Sequence, residues 1–217
     1  MSLAAADPTD FVRRQTTVAC APLVPELALH LADAALELWQ ATEAALDRSG
    51  LPPPYWAFAW PGGQALARYL LDHPATVAGK RVLDFGAGCG IAALAATRAG
   101  AARAIAADID RFAAAAIALN ATLNDLALTI TTDDVLAHPP AADLLLLGDM
   151  CYERPLAVRA LDWARAAAAS GIRVLLADPG RAYRPTDGLA ELARYVVPTS
   201  LDLEDRTERE TVVWRLT

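Results

Sequence analysis

The chain has 217 residues, 55% of them hydrophobic, which is enough to bury the core of one domain. The net charge of −7 and isoelectric point near 4.9 argue against a nucleic-acid-binding protein, which needs a basic surface. The sequence contains no long apolar run, no signal peptide and only three widely spaced cysteines, so we expect a cytoplasmic protein without membrane spans, disulfides or a metal site.

The first 54 residues are predicted to form an N-terminal helical extension, and residues 55–217 the main domain. Residues 1–20 show no clear period, and their structure is left open. Between residues 26 and 47, leucine and alanine recur at helical spacing, which predicts a long amphipathic helix. Three prolines at 52–54 end it, because they remove backbone donors and favour an extended path.

Four aromatic residues lie within six positions of a chain that is only 6% aromatic: Tyr55, Trp56, Phe58 and Trp60. One interpretation is a hydrophobic plug that joins the extension to the main domain. The other is that Trp60 forms a wall of a ligand pocket, because the face of an indole ring attracts a cation such as a sulfonium or an ammonium.

A glycine-rich loop follows the first predicted strand of the main domain and precedes a predicted helix. Strand, loop and helix N-terminus together are the nucleotide-cofactor arrangement of doubly wound α/β folds. The spacing departs from the dinucleotide fingerprint, because Ile91 stands in place of the third glycine. Asp84 would repel a pyrophosphate but suits a cationic ligand such as S-adenosylmethionine. We therefore predict cofactor contacts from Asp84, Gly86, Gly88 and Gly90; a turn without a ligand is the alternative.

Further acidic residues follow the next two predicted strands. Asp108 lies 20 residues after Gly88, the spacing at which a carboxylate reaches the hydroxyl pair of a ribose. Ile109, next to it, is included in the predicted cofactor contact, whereas Asp110 fits a helix N-cap better. Asp134 is predicted to accept a hydrogen bond from the adenine amino group, the alternative being a solvated turn.

The most apolar predicted strand, 143–148, is typical of a central parallel strand that is covered on both faces. Asp149, Tyr152 and Glu153 follow it directly. Doubly wound sheets bind ligands outside the carboxyl ends of their strands, so these side chains are placed where chemistry would be done.

The remaining elements complete an alternating pattern. Helices are predicted over 64–71, 91–99, 111–123, 154–170 and 186–194, and further strands over 172–177, 196–203 and 210–216. The alternation predicts an α/β fold: a doubly wound, Rossmann-like sheet of seven strands, mostly parallel with an antiparallel C-terminal strand.

The segment from Asp84 to Gly90, together with Asp108, resembles the cofactor signature of class I S-adenosylmethionine-dependent methyltransferases. Two further segments, Pro54–Leu71 and Asp149–Glu153, are similar to the seven-strand protein-lysine methyltransferases that act on the β subunit of electron-transfer flavoprotein. The similarity extends over most of the chain. It implies S-adenosylmethionine as the cofactor, with S-adenosylhomocysteine as the product.

In that family an Asp-x-x-Tyr-Glu motif after the fourth strand is implicated in lysine methylation, so the resemblance implies catalytic roles for Asp149, Tyr152 and Glu153. Cys151 stands where the family usually has an aromatic residue. The implied function is a monomeric protein-lysine N-methyltransferase whose partner is the flavoprotein β subunit. The alternatives are an N-methyltransferase for a small molecule or another, ribosomal protein, a nucleic-acid methyltransferase, and a scaffold that binds the cofactor without turnover.

Overall fold

A seven-stranded sheet forms the centre of the computed structural model, which describes residues 7–33 and 53–217. Before it lie helix α1 (Pro8–Gln15) and an antiparallel hairpin of β1 (Thr17–Ala21) and β2 (Val24–Leu31). The strands of the large sheet are β3 (Arg81–Phe85), β4 (Arg103–Ala107), β5 (Thr129–Thr131), β6 (Leu144–Gly148), β7 (Arg173–Asp178), β8 (Leu189–Pro198) and β9 (Glu208–Leu216). Their order is β5-β4-β3-β6-β7-β9-β8, and the C-terminal strand β9 runs antiparallel to both neighbours, which confirms the predicted fold class.

Helices cover both faces of this sheet. They are α2 (Pro61–Asp72), α3 (Ile91–Arg98), α4 (Arg111–Leu123), α5 (Arg154–Ala169) and the short α6 (Leu201–Glu204), with 3₁₀ turns at Tyr55–Ala57, Pro74–Thr76 and Val135–Ala137. The side chains of β6 alternate between the two layers: Leu144 and Leu146 pack with α2, and Leu145 and Leu147 pack with α5. All four are at most 1% exposed, as expected of a central parallel strand. Within the described ranges, no helix is long and apolar enough to cross a bilayer.

The order of the strands places a crevice between β3 and β6. These two strands pair in parallel, with Phe85 opposite Leu147, although β4 and β5 lie between them in the chain. The connection from β3 leads to β4 on one side, and the chain later returns to β6 on the other. Ligands of doubly wound folds bind at such a reversal point. The glycine loop after β3 and the Asp149 segment after β6 therefore lie side by side.

The predicted helix over residues 26–47 is wrong where the structure describes it, because residues 24–31 form strand β2; residues 34–47 lie outside the described residues. Leu27 and Leu29 point into one buried cluster with α3, an alternation that a strand produces and a helix does not. The division of the chain at residue 54 stays a prediction.

Two predictions near the C-terminus are also wrong. Residues 189–194, predicted as part of a helix, belong to β8, and the strand predicted over 196–203 ends at Pro198, before helix α6. The Ala-Glu-Leu-Ala-Arg composition favours a helix locally, but β8 pairs with β9 along its whole length. Pairing and packing in the sheet outweigh the small differences in intrinsic propensity.

A buried amide connects the hairpin to the glycine loop. Asn120 of α4 is fully buried; its Oδ1 accepts from the His30 N–H at 2.7 Å, and its Nδ2 donates to the Cys89 carbonyl at 2.9 Å. Asn124, one turn later, bonds the N–H and C=O of Ala28 and does not reach the loop. The two asparagines thus share the hairpin but differ in their contact with the loop.

Replacing Asn120 should therefore affect both stability and the loop. Asn120→Ala leaves a buried donor and a buried acceptor without their partner, and we expect the free energy of unfolding to fall by about 1–3 kcal/mol in urea titrations. We also expect weaker cofactor binding by calorimetry, whereas Asn124→Ala should lower stability and leave the affinity unchanged. Equal affinities for the two variants would contradict a link between hairpin and loop.

Candidate active site

A cavity of about 520 Å³ lies at the carboxyl ends of β3, β4 and β6. Its wall contains six residues of the predicted cofactor set: Trp60, Gly86, Gly88, Asp108, Ile109 and Asp134. From the predicted catalytic set it contains Asp149 and Tyr152. Asp84, Gly90 and Glu153 lie outside this wall. The structure thus gathers most of the predicted residues around one space, whose size is ordinary for a small-molecule site.

The glycine loop forms one side of the cavity, and its three glycines all have a positive φ. Gly86 has a φ of 65°, and a Cβ built there would lie 2.5 Å from Met150 Sδ. Gly88 has a φ of 54°, and its N–H donates to Asp108 Oδ2 at 2.9 Å. Gly90, behind them, adopts the left-handed conformation at the N-cap of α3. A ligand can approach the backbone of this loop because the turn carries so few side chains.

Asp84 lies beneath the loop. It sits on the face of β3 that α3 covers; it is 3% exposed, and its Oδ2 accepts from the Ala93 N–H at 3.0 Å. Burial raises the pKa of Asp84 to about 7. The carboxylate therefore holds the first turn of α3 against the strand, and its predicted contact with a cofactor stays a prediction.

The raised pKa of Asp84 predicts that replacing this residue will change the free energy of unfolding in a pH-dependent way. An unfolded aspartate has a pKa of about 3.9, so the folded protein retains a proton between about pH 4 and pH 7 that the unfolded chain has lost. The penalty of the buried charge is greatest above pH 7 and shrinks as the pH falls. We expect Asp84→Asn to raise the free energy of unfolding of the cofactor-free protein more at about pH 8 than at about pH 5, measured by chemical denaturation.

Asp143 provides the control for that experiment. Its hydrogen bonds with Arg81 lower the pKa of Asp143 to about 2, so its charge stabilises the fold at neutral pH. Asp143→Asn should therefore lower stability near pH 8. If Asp84→Asn also lowered the free energy of unfolding near pH 8, the ionised, buried Asp84 carboxylate would not be destabilising, and this prediction would be wrong.

The predicted ribose and adenine residues, Asp108 and Asp134, line the cavity after β4 and β5. Asp108 follows β4, and its two carboxylate oxygens accept from the N–H groups of Gly88 and Asp110 at 2.9 and 3.0 Å. Ile109 is 77% exposed at the cavity mouth. Asp134 pairs with Arg159 at 2.8 Å, and that hydrogen bond lowers the pKa of Asp134. Asp108 and Asp134 thus present fixed carboxylates to the cavity, and their cofactor contacts stay predictions.

Asp149 lines the cavity directly after β6 and has an unusual backbone conformation. Its φ is 56°, in the left-handed region, which few residues other than glycine adopt. Its N–H donates to the Ala177 carbonyl at 3.0 Å, and its Oδ2 accepts from the Gly62 N–H. Burial raises the pKa of Asp149 to about 6, and the Arg181 guanidinium opposes that rise. Two neighbouring strands and the start of α2 therefore hold this carboxylate in place.

Arg181 is a cavity residue that the sequence analysis did not single out. It follows β7 in the loop Asp178-Pro-Gly-Arg181, and its Nε and Nη2 donate to Asp149 Oδ1 at 3.1 and 2.8 Å. Its guanidinium also binds both carboxylate oxygens of Glu204, whose side chain is 2% exposed. A position after a strand end, in the same loop layer as Asp149, is the signal that could have identified it.

Three aromatic rings in contact with one another line part of the cavity. The centroid of the Tyr55 ring lies 6.1 Å from that of Trp60 and 5.3 Å from that of Tyr152. Trp60 Nε1 also donates a hydrogen bond to the Tyr55 carbonyl. Trp56 stacks on Phe112 and packs with α1, and it also lines the cavity, as Trp60 does. The two interpretations of the aromatic segment therefore overlap, because Trp56 belongs to both the plug and the cavity wall.

Known proteins match this chain over nearly its whole length. The electron transfer flavoprotein beta subunit lysine methyltransferase of Danio rerio is 39% identical over 216 residues, which cover 96% of this chain and 80% of that protein. The Mus musculus protein of the same name is 40% identical over 202 residues, which cover 88% and 77%. This chain belongs to that family.

Two further comparisons match a part of the chain and its fold. Residues 65–146 match the family described as Ribosomal protein L11 methyltransferase (PrmA). The solved structure of the T. thermophilus 16S rRNA methyltransferase RsmC, in complex with AdoMet and guanosine, superposes with a TM-score of 0.57 at 19% identity, covering 93% of this chain and 49% of that one. At that identity the likeness shows the fold alone.

The Asp-x-x-Tyr-Glu motif after β6 contains both buried and exposed residues in this member of the lysine methyltransferase family. Cys151 is fully buried, and burial raises the pKa of its thiol to about 12, with Asp178 and Asp149 adding to the rise. Such a thiol is a poor nucleophile, which argues against covalent catalysis by Cys151. Tyr152 is 39% exposed at the cavity, and Glu153 is exposed at the N-cap of α5.

Proposed function

We propose that this protein transfers methyl groups from S-adenosylmethionine to lysine side chains of the electron transfer flavoprotein β subunit. The observation that carries the proposal is the extent of the match to the named relatives. The match to the Danio rerio protein covers 96% of this chain, so it includes both the glycine loop and the Asp149–Glu153 segment. The match to the ribosomal protein L11 methyltransferase family ends at residue 146, before the second of these segments, so it favours the fold and cofactor more than that acceptor.

The residues present suit this cofactor. The loop at Gly86 and Gly88 leaves its backbone open to the cavity, and a Cβ at Gly88 would meet its nearest neighbour, the Tyr55 carbonyl, at 3.9 Å. Asp108 at the rim suits hydroxyl donors, and Trp60 offers a ring face for a cation. We assign cofactor contacts to Trp60, Gly86, Gly88, Asp108, Ile109 and Asp134, with Asp84 and Gly90 shaping the loop from behind.

S-adenosylmethionine, when bound, supplies a methyl group on a sulfonium: the amine nitrogen forms the new N–C bond as the C–S bond breaks, which leaves S-adenosylhomocysteine and one proton to release. A lysine has a pKa of about 10.4, so the protein must accept the ammonium, release its proton and align the amine. The Asp149 carboxylate, with a pKa of about 6, is ionised at neutral pH and suits orientation of the amine and uptake of its proton.

Tyr152 and Glu153 have different parts in this proposal. Tyr152 lines the cavity and packs on Tyr55, so it forms an aromatic wall beside the lysine side chain. Glu153, exposed next to it, attracts the incoming ammonium at the entrance without touching the reacting atoms. A cytoplasmic location and a monomeric state stay predictions from the sequence.

The proposal is tested by supplying methyl-labelled S-adenosylmethionine and the purified protein to an extract of a strain that lacks its gene. We expect the label in one protein of the size of the flavoprotein β subunit, as methylated lysine after hydrolysis. Label in the small-molecule fraction would favour a free amine as the acceptor, and label in a ribosomal protein would favour the other protein class. An extract without any labelled product would contradict the methyltransferase assignment.

A further inference from the structure

The acceptor end of the cavity contains an ion-pair network that the family motif does not include. Asp149 Oδ1 accepts two hydrogen bonds from Arg181, and Asp149 Oδ2 accepts one from the Gly62 N–H. Glu204 binds the far side of the same guanidinium, and Arg209 Nε donates to Glu204 Oε2 at 3.0 Å. Two carboxylates and two guanidinium groups therefore alternate along one chain of contacts.

These contacts leave the guanidinium little freedom. The side chains of Arg181 and Asp149 are 19% and 10% exposed, and the ring of Trp60 lies 5.8 Å from the Arg181 guanidinium carbon. Nε and Nη2 point at Asp149, while Nη1 and Nη2 point at Glu204, so the planar group bridges two fixed carboxylates. Lysine could supply the charge in this position but not the fork of donors.

We propose that Arg181, clamped by Glu204, is a positioning residue of the methyl-transfer site that fixes the Asp149 carboxylate in one orientation and balances its charge before the lysine enters. This inference rests on the proposed function. Arg181 acts through Asp149 and is not itself assigned contact with the reacting atoms.

The charge balance has a consequence for the acceptor. A free buried carboxylate would favour the ammonium form of lysine, which has no lone pair and cannot accept a methyl group. Asp149 already faces a cation, and the guanidinium at the cavity wall disfavours a second positive charge nearby. The network therefore allows Asp149 to orient an amine without holding it in its unreactive, protonated form.

The network also determines the direction of a pH effect. The charged and titratable groups that face Asp149 are Arg181 from the loop after β7, Asp178 at the end of that strand and the Cys151 thiol next along the chain. Arg181 lowers the pKa of Asp149, whereas burial and Asp178 raise it. Without Arg181 the pKa of Asp149 rises, so a smaller fraction is ionised near pH 7.

The test is the pH profile of methyl transfer by the full chain with Arg181→Met, Arg181→Lys and the same-loop control Arg184→Met. Arg184 lies over the Trp214 ring, 4.8 Å from its centroid, and its guanidinium donates to the Pro185 carbonyl. We expect Arg181→Met to lose at least about twofold in kcat near pH 7, since a rise of one unit from a pKa of about 6 lowers the ionised fraction of Asp149 from about nine-tenths to about one half, and to recover part of the rate near pH 9. Arg181→Lys should keep the wild-type pH at which the rate falls on the acidic side, but its maximal rate should be lower. Arg184→Met should have the wild-type pH profile and rate.

A direct titration separates positioning from general damage to the fold. The carboxyl carbon of Asp149 is followed by NMR in protein labelled at aspartate, with Asp149→Asn identifying the signal, and in Arg181→Met and Glu204→Gln. We expect the Asp149 midpoint to move to higher pH in Arg181→Met and not to rise in Glu204→Gln, because the second variant keeps the guanidinium charge and loses a nearby negative charge; cofactor affinity should be retained in both. An unchanged midpoint and an unchanged acid limb in Arg181→Met would overturn the inference. Inactivity of the wild-type protein toward every acceptor would instead overturn the proposed function.

Discussion

Asp149→Asn is expected to reduce methyl transfer by about 10²–10⁴-fold, the range that a positioned acid or base contributes. The substitution keeps the size of the side chain and retains an oxygen for the Gly62 N–H, but it removes the charge that faces Arg181. Asparagine cannot take up the amine proton, and it lacks the charge that Arg181 balances. The rate is measured with the purified variant and saturating S-adenosylmethionine.

The same variant should bind the cofactor within a few-fold of the wild-type affinity, because the Asp149 carboxylate bonds to Gly62 and Arg181, whereas Asp108 bonds to Gly88 and Asp110. Asp143→Asn is the control: this carboxylate immediately precedes β6, is exposed and pairs with Arg81, so its removal should leave the rate unchanged. Wild-type activity in Asp149→Asn would remove Asp149 from the catalytic role. Cofactor binding without turnover in both the wild-type protein and this variant would instead favour a scaffold.

Gly62→Ala is expected to cause the second large loss, although alanine is normally the better helix former. A Cβ at Gly62 would lie 2.5 Å from Asp149 Oδ2, 2.6 Å from the Asp149 nitrogen and 2.6 Å from the Ala177 carbonyl oxygen. Two of these neighbours are backbone atoms of the sheet edge, which cannot move without breaking the bond from Asp149 to Ala177. We expect the free energy of unfolding to fall by about 1–3 kcal/mol, and kcat to fall with it because the carboxylate is displaced.

Gly63→Ala is a close control for that change. Its Cβ would meet the Cγ2 methyl of Ile91 at 3.1 Å, the end of a side chain that can shift slightly. The gain of alanine over glycine in a helix, up to about 1 kcal/mol, should offset this contact, so stability and rate should stay near wild type. Equal losses in the two variants, measured by urea denaturation and by turnover, would contradict the tight approach of α2 to Asp149.

The sheet, the glycine loop and the acids at the strand ends could be predicted because their causes are local. Four consecutive leucines at 144–147 indicate a strand that is covered on both faces, and the glycines at 86 and 88 indicate a turn with left-handed residues. Parallel strands then place their following residues at one edge. The position of Asp149 beside the glycine loop follows from these patterns together with the usual strand order.

The rest depends on partners that are distant in the sequence. Leu27, Leu29 and Leu31 fit a strand, but Leu27 and Leu31 also fit a helix, and the amides of Asn120 and Asn124 that bond β2 lie at least 90 positions further along the chain. Likewise Arg181 is 32 positions from Asp149. A sequence shows that these residues carry charge, but it does not show which carboxylate each guanidinium will contact.

The most direct test of the central claim is the mass of the electron transfer flavoprotein β subunit, isolated from cells with the gene, without it, and without it but supplied with the Asp149→Asn variant. We predict methylated lysine in the first sample and its absence from the other two, with methylation restored in vitro by the purified wild-type protein and S-adenosylmethionine. An unchanged methylation state of the β subunit in cells that lack the gene, with no methylation of the unmodified subunit in vitro, would contradict it.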